Sequence, residues 1–253
     1  MLKTLLIHMK KRTIFSLICC LLVILCLTGC GGSSLNDDSK DYNISVKKID
    51  GVDVKTYISS GQDQLIVSVT NKTGKMIGSG YISVSYYDEN DKKITIYGTD
   101  DTRYNMFENG SEVVYGFELP AENNWDHYIP ARTEVEITMD EEYQEDYSHI
   151  MAEYVENFTY SYTKTDEAVT LILKNNGSDE ESAPRSISVV FYKNNRPIYS
   201  KDVSFWFTDV GAGETKTREF DIPTDYKKSK ETNEDVLIDF DNIKIFRVVE
   251  GIS

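Results

Sequence analysis

The chain has 253 residues, 40% of them apolar, and a formal net charge of −15. This acidity disfavours contact with nucleic acid or with anionic lipid headgroups, because basic patches recognise both. The four cysteines lie within the first 30 residues, so the rest of the chain has no thiol for disulfides or for cysteine-based zinc sites.

The N-terminus has the layout of a secretory signal peptide. Basic residues are the only charges before Asp37, and they precede an apolar run over residues 14–27. This run would form a helix of roughly 21 Å, shorter than the roughly 30 Å hydrocarbon core of a bilayer. We therefore expect a cleaved signal and no permanent span. Met1 and Met9 are both possible starts, since Met9 begins a second basic stretch.

The apolar run ends in Leu27, Thr28, Gly29 and Cys30, and small residues follow. This pattern resembles the lipobox of bacterial lipoproteins. The resemblance implies that a peptidase removes residues 1–29 and that Cys30 carries a diacylglycerol. Two acyl chains hold a protein firmly at a membrane. The implied location is the cell membrane, facing outside the cytoplasm. The alternative is an ordinary secreted protein in which Cys30 stands by chance.

Cleavage would leave an acidic chain with a net charge of −19, since four basic residues and no acidic ones are removed. Residues 30–41 are small and polar, which is typical of a flexible tether. The remaining length suffices for two domains of about 100 residues, each with its own core.

Runs rich in β-branched and aromatic residues then alternate with turn residues, in two sets. The pattern predicts an all-β chain of antiparallel sandwiches. The strand-like runs are 65–70, 81–87, 113–119 and 135–139, then 169–173, 187–191 and 203–207. The turns are 71–74, 88–91 and 108–110, then 175–179, 193–196 and 211–213.

Three motifs recur at nearly constant spacing. Asn71 matches Asn175, Tyr87 matches Tyr192, and residues 117–120 (FELP) match 220–223 (FDIP), at offsets of 104, 105 and 103. Such spacing indicates two copies of one domain. We predict immunoglobulin-like domains at 42–140 and 153–253, joined by a linker at 141–152 that contains one short helix.

Each copy resembles a family of immunoglobulin-like domains that is common in bacterial lipoproteins and is named FxLYD after its central strand. The corresponding residues are 84–88 (VSYYD) in the first copy and 189–193 (VVFYK) in the second. The Tyr is kept in both copies, whereas the leading Phe is Val in both. The resemblance implies two tandem immunoglobulin-like sandwiches and names no activity.

Residues with catalytic or ligand-binding chemistry are few. His127 and His149 have no partner motif, and we expect them to be structural. The acidic residues 88–91 (DEND) suit either a calcium loop or a hairpin turn, and closely flanking strands favour the turn. Residues 211–213 (GAG) lead into a strand and not a helix, which favours a tight turn over a phosphate loop. We expect no cofactor and no metal.

The sequence therefore favours a non-catalytic module that binds a protein or glycan partner at the membrane. The alternatives are a passive spacer and a hydrolase with an unrecognised carboxylate site, which a carboxylate beside His127 would favour. Trp206 is the candidate contact residue, because strand alternation points Val203, Phe205 and Phe207 inward and Trp206 outward. An outward Trp206 either binds a partner or is covered within the protein.

The lipobox predicts that Cys30→Ser blocks both lipid attachment and processing. Cells that express the variant and receive a labelled fatty acid should give no labelled protein, whereas the wild type should be labelled. Labelling that persists in the variant would show that the anchor assignment is wrong.

Overall fold

A computed structural model describes residues 40–96, 101–122, 126–140, 157–182, 186–204 and 209–248. The predicted signal peptide, the lipobox with Cys30, the 141–152 linker, His149 and Trp206 lie outside these residues.

The first half contains two sheets. One has the order β1–β8–β4, with β5 and β6 also pairing with β4, and the other has the order β2–β3–β7. Neighbouring strands are antiparallel except β1, which runs parallel to β8. The strands are β1 (Ile44–Lys47), β2 (Val52–Ile58), β3 (Gln64–Asn71), β4 (Ile77–Tyr87), β5 (Lys93–Ile94), β6 (Asp101–Phe107), β7 (Glu112–Glu118) and β8 (Arg132–Asp140).

The second half contains the antiparallel sheets β9–β10–β15 and β13–β12–β16 and the short pair β11–β14. Its elements are β9 (Phe158–Lys164), β10 (Ala168–Asn175), β11 (Glu181–Ser182), β12 (Ser186–Lys193), β13 (Arg196–Ser204), β14 (Asp209–Val210), β15 (Thr215–Asp221), α1 (Tyr226–Thr232) and β16 (Asn242–Val248). The described part of the chain thus contains many strands and one short helix, and the predicted all-β class is confirmed.

The two halves have the same strand order. β2–β3–β7 corresponds to β9–β10–β15, and β6–β4–β8 corresponds to β13–β12–β16. Tyr87 pairs with Arg132 and Tyr192 pairs with Asn242, each partner being the first residue of its strand. The two tyrosines therefore occupy matching positions in their sheets. One difference stands out: β1 covers the edge of β8, whereas no described strand covers the same edge of β16.

The recurring asparagines are fixed by the same hydrogen bonds. Asn71 and Asn175 are both 0% exposed. In each, the side-chain oxygen accepts from the amide two residues ahead, at 3.0 and 2.7 Å, and the side-chain nitrogen donates to the carbonyl four residues ahead, at 2.7 and 2.8 Å. The repeat in sequence therefore reflects a repeated turn that needs one amide side chain.

Each half has its own hydrophobic core between its sheets. Leu65, Val67 and Ile82 belong to the first core, and Leu171, Val189 and Phe191 belong to the second. Strand alternation places these residues on the inner faces of their sheets. The turn between β12 and β13 has positive φ at Asn194 and Asn195, as a two-residue hairpin of type I′ requires.

Asn175→Ala should lower the free energy of unfolding by about 1–3 kcal/mol, because the Gly177 amide and the Asp179 and Val210 carbonyls lose their side-chain partner. Asn176→Ala, at the neighbouring exposed position, is the matched control and should change stability little. Denaturant unfolding measures both. Equal losses for the two variants would show that the buried amide does not stabilise the turn.

Candidate functional site

The outer face of the β2–β3–β7 sheet packs against that of the β13–β12–β16 sheet. Ile66, Val114 and Val190 are fully buried, yet they belong to neither core. Hydrogen bonds cross this junction in both directions: Ser60 N–H donates to the Ile198 carbonyl at 3.0 Å, and Ser200 N–H donates to Gln64 Oε1 at 3.1 Å. The segment Asp37–Ser253 accordingly forms one compact unit.

Gly116 in β7 allows the sheets to approach. A Cβ at this position would lie 2.9 Å from Ser200 Cβ and 2.9 Å from Gln64 Oε1, closer than normal van der Waals contact. The close approach of the two sheets thus depends on glycine at position 116 as well as on the buried apolar side chains.

A polar cluster lies beside the junction and contains Asp63, Ser59, His127, Asp225 and Tyr226. Asp63 is 4% exposed, and its Oδ1 accepts a 2.6 Å hydrogen bond from Ser59 Oγ. Burial raises the pKa of the Asp63 carboxyl, and the Ser59 hydrogen bond offsets part of this shift. Burial also raises the pKa of Tyr226, and the carboxylates of Asp63 and Glu118 add to that shift.

His127 lies between a carbonyl and a carboxylate. Its Nδ1 is 2.9 Å from the Leu119 carbonyl oxygen, and its Nε2 is 4.0 Å from Glu118 Oε1. Because a carbonyl only accepts, Nδ1 carries a proton and Nε2 faces Glu118. The Tyr226 ring packs with its centroid 6.1 Å from that of the imidazole.

Helix α1 brings the second half to this cluster. Asp225 caps its N-terminus by accepting from Lys228 N–H at 3.1 Å, and Lys228 Nζ lies 3.1 Å from the same carboxylate. Lys230 in the last turn forms a 2.7 Å ion pair with Asp126 in the first half. Exposure of both partners makes this pair a weak contribution to stability.

The cluster holds a carboxylate beside His127, but its serine, Ser59, forms hydrogen bonds within the local turn. Ser59 Oγ gives its proton to Asp63 and accepts from the amides of Asp63 and Gln64, at 3.1 and 2.9 Å. A nucleophilic serine instead needs a base as its proton acceptor at this kind of distance. The arrangement suits a structural role, namely fixing the chain where the two halves meet.

Residues 88–91 form the predicted hairpin turn between β4 and β5. The Asp88 carboxylate accepts from the amides of Asn90 and Lys92, at 2.8 and 2.9 Å. Asp91 pairs with Arg132 at 2.5 Å. One carboxylate oxygen of Asp88 thus stabilises the turn, and one of Asp91 pairs with an arginine. No group of three or more His, Cys, Asp or Glu side chains in the described ranges could hold a metal ion.

Residues 211–213 form the predicted tight turn. Glu214 N–H donates to the Gly211 carbonyl at 2.8 Å, and the Glu214 carboxylate accepts from Gly211 N–H at 2.7 Å. Gly213 has φ of +71°, a conformation that other residues rarely adopt.

An open groove of about 640 Å³ lies between the strands β9 and β16 of the second half. Strand β9 contributes Phe158, Thr159, Tyr160, Ser161 and Tyr162, and β16 contributes Ile243 and Ile245. The lining is mainly aromatic and aliphatic, and one wall is the edge of a sheet. Apolar clefts of this kind are common binding sites.

The matching edges of the two halves differ in their hydrogen bonds. In the first half, Thr133 N–H of β8 donates to the Asn43 carbonyl beside β1 at 3.1 Å. The strand pairings place Ile243 of β16 at the position of Thr133. Ile243 N–H donates instead to the Tyr162 hydroxyl at 3.3 Å. In the second half the Tyr162 hydroxyl thus accepts the hydrogen bond that the backbone carbonyl of Asn43 accepts in the first half.

The predicted site residues Cys30 and Trp206 lie outside the described residues, so the structure does not locate them. Of the two candidate histidines, His127 lies in the polar cluster beside the junction and His149 lies outside the described residues. No local sequence signal indicates Asp63, which stands in an ordinary-looking turn. The alternating aromatic residues of β9 (FTYSYTK) are the signal that points to the groove.

Neither the protein-family models nor the curated protein sequences match this chain. Within the described residues, no helix has the length and the apolar character needed to cross a bilayer. The FxLYD resemblance stays a prediction.

Asp63→Asn tests the burial of the carboxyl at the junction. The raised pKa means that the wild type loses stability as pH rises from the ordinary value of 3.8 through the raised value, since the folded state disfavours the charged form. Asn keeps the acceptor for Ser59 and does not ionise. The stability of the variant relative to the wild type should therefore increase across this window and level off above it.

Urea unfolding at a series of pH values measures this difference. Asp166→Asn, in the exposed turn between β9 and β10, is the control for the chemistry of the substitution. A difference between the Asp63 variant and the wild type that does not change with pH would show that Asp63 is not buried at the junction.

Proposed function

We propose that the chain is a lipoprotein anchored outside the cytoplasm by Cys30 and acts as a non-catalytic binding module. The lipobox pattern and the polar tether support the anchor. The groove between β9 and β16 carries the binding role, because it combines aromatic and aliphatic side chains with a strand edge that no described strand covers. The acidic surface keeps the module soluble and disfavours contact with nucleic acid.

The compact packing of the two halves supports a role in which the chain holds the groove in a fixed shape for a partner. Buried residues and backbone contacts join the two sheets at the junction, so the groove is held on a firm support at the end of a flexible tether. A tether of this composition lets the module search the space near the membrane. The partner is therefore a protein or glycan of the cell envelope or its surroundings.

A hydrolase is the second candidate, and the contact between His127 and Glu118 is the observation that favours it. In that reading His127 Nε2 is a general base oriented by Leu119. His127→Gln would then abolish the turnover of a substrate. In the binding module the same variant leaves partner capture unchanged, because the described contacts of His127 are with Leu119, Glu118 and Tyr226, and none of these three residues lines the groove.

Chemical crosslinking in the native cells tests the proposed function. The full-length wild type should give discrete adducts with one protein or glycan. An unrelated lipoprotein expressed at the same level is the control. Adducts no more abundant than those of the control would contradict a binding role and would favour a passive spacer.

A further inference from the structure

We propose that Asn109 and Asn176 are latent sites of deamidation, and that the recurring asparagines Asn71 and Asn175 keep them unreactive in the folded protein. This covalent modification is independent of the proposed binding function.

Deamidation is fastest where glycine follows asparagine, because a glycine without a Cβ lets its backbone nitrogen approach the asparagine side chain. The glycine nitrogen attacks Cγ of the asparagine and gives up its proton. The bond between Cγ and the side-chain nitrogen breaks, and ammonia leaves with that proton. Water then opens the five-membered succinimide, which gives aspartate or isoaspartate. Water is the only co-reactant that these steps need.

The chain contains two Asn-Gly pairs, Asn109-Gly110 and Asn176-Gly177. Both asparagines are exposed to solvent, so water reaches their side chains. The sequence and the exposure of the two asparagines would by themselves predict that both pairs deamidate readily.

In the folded protein, the nitrogen that would attack is held by a hydrogen bond at each pair. Gly110 N–H donates to the Asn71 backbone carbonyl at 2.7 Å, and Gly177 N–H donates to Asn175 Oδ1 at 2.7 Å. Both acceptor residues are 0% exposed. An N–H that donates a hydrogen bond is harder to deprotonate, and its nitrogen cannot turn toward another group while the bond is intact. The two attacks are thus blocked at the same step.

The side chain that would be attacked is restrained less firmly. Asn109 Oδ1 accepts from Gly74 N–H at 2.8 Å, and Asn176 Nδ2 donates to Thr159 Oγ1 at 3.1 Å. These two hydrogen bonds are exposed, and water readily replaces such partners. The buried side chain of Asn175, in contrast, holds the glycine amide. Capture of the glycine amide is therefore the main protection.

The two pairs depend on different atoms of the recurring asparagine. At Gly110 the acceptor is a backbone carbonyl, which every substitution of Asn71 keeps. At Gly177 the acceptor is a side-chain oxygen, which Asn175→Ala removes. This substitution should therefore release the second site and leave the first one protected.

Peptide mapping by mass spectrometry tests the proposal after incubation of the full-length chain in detergent micelles at mildly alkaline pH. In the wild type, Asn109 and Asn176 should both react slowly, and both should react rapidly when the chain is unfolded in urea. In Asn175→Ala, Asn176 should react faster by about tenfold or more, since a hydrogen bond worth about 1.4 kcal/mol corresponds to a factor of ten. Asn109 should stay as slow as in the wild type.

Two control variants separate capture of the glycine amide from other causes. Val169→Ala leaves a cavity in the second core and destabilises the same half, but it keeps Asn175, so Asn176 should stay slow. Thr159→Val removes the acceptor of the Asn176 side chain and keeps the hydrogen bond of Gly177, so Asn176 should react much more slowly than in Asn175→Ala. Synthetic peptides of this loop with Asn or Ala at position 175 should react equally fast.

Rapid modification of both asparagines in the folded wild type, or slow modification in urea, would overturn the inference. An unchanged rate at Asn176 in Asn175→Ala would do the same, because the hydrogen bond of Gly177 would then give no protection. Equal acceleration in Val169→Ala would assign the effect to general opening of the second half, and equal acceleration in Thr159→Val would assign it to the asparagine side chain. Peptides that react at different rates would assign it to local sequence.

Discussion

The packing of two sheet faces against each other is the contact on which the rest of the structure depends. It buries Ile66 and Val114 of the first half against Val190 of the second, so β3 and β12 are covered on both faces. Burial of apolar area stabilises such an interface. Gly116 permits the close approach, and the crossing hydrogen bonds of Ser60 and Ser200 fix the alignment. The groove on β16 is held firmly because β16 belongs to one of these two sheets.

The two halves of the described fold share one strand order, and they differ at one strand edge. Both copies keep the strand order and the asparagine turn. In the first half β1 covers the edge of β8, whereas no described strand pairs with the matching edge of β16, where Ile243 N–H donates to the Tyr162 hydroxyl. Free strand edges favour pairing with other chains, and proteins usually block them.

The sequence predicted the elements whose signals are local. Alternation at Leu65, Val67 and Val69 identified β3, and the spacing of Asn71 and Asn175 identified the repeat. Alternation did not predict that Ile66 and Ser68 are buried as well, because their burial comes from the other half of the chain. Helix α1 was missed since its sequence, YKKSKET, has no apolar periodicity. The partner of a strand edge, such as β1 on β8, is likewise set by tertiary packing and not by local pattern.

Amide hydrogen exchange at two matching positions tests the central claim most directly, namely that the copies differ in the cover of one strand edge. Val135 stands two residues after Thr133 and faces β1, and Ile245 is its counterpart in β16. The Ile245 amide should exchange at least about 100-fold faster than the Val135 amide, because Val135 faces β1 and no described strand pairs with the matching edge of β16. Equal protection of the two amides would contradict the account, since the edge of β16 would then be covered like that of β8.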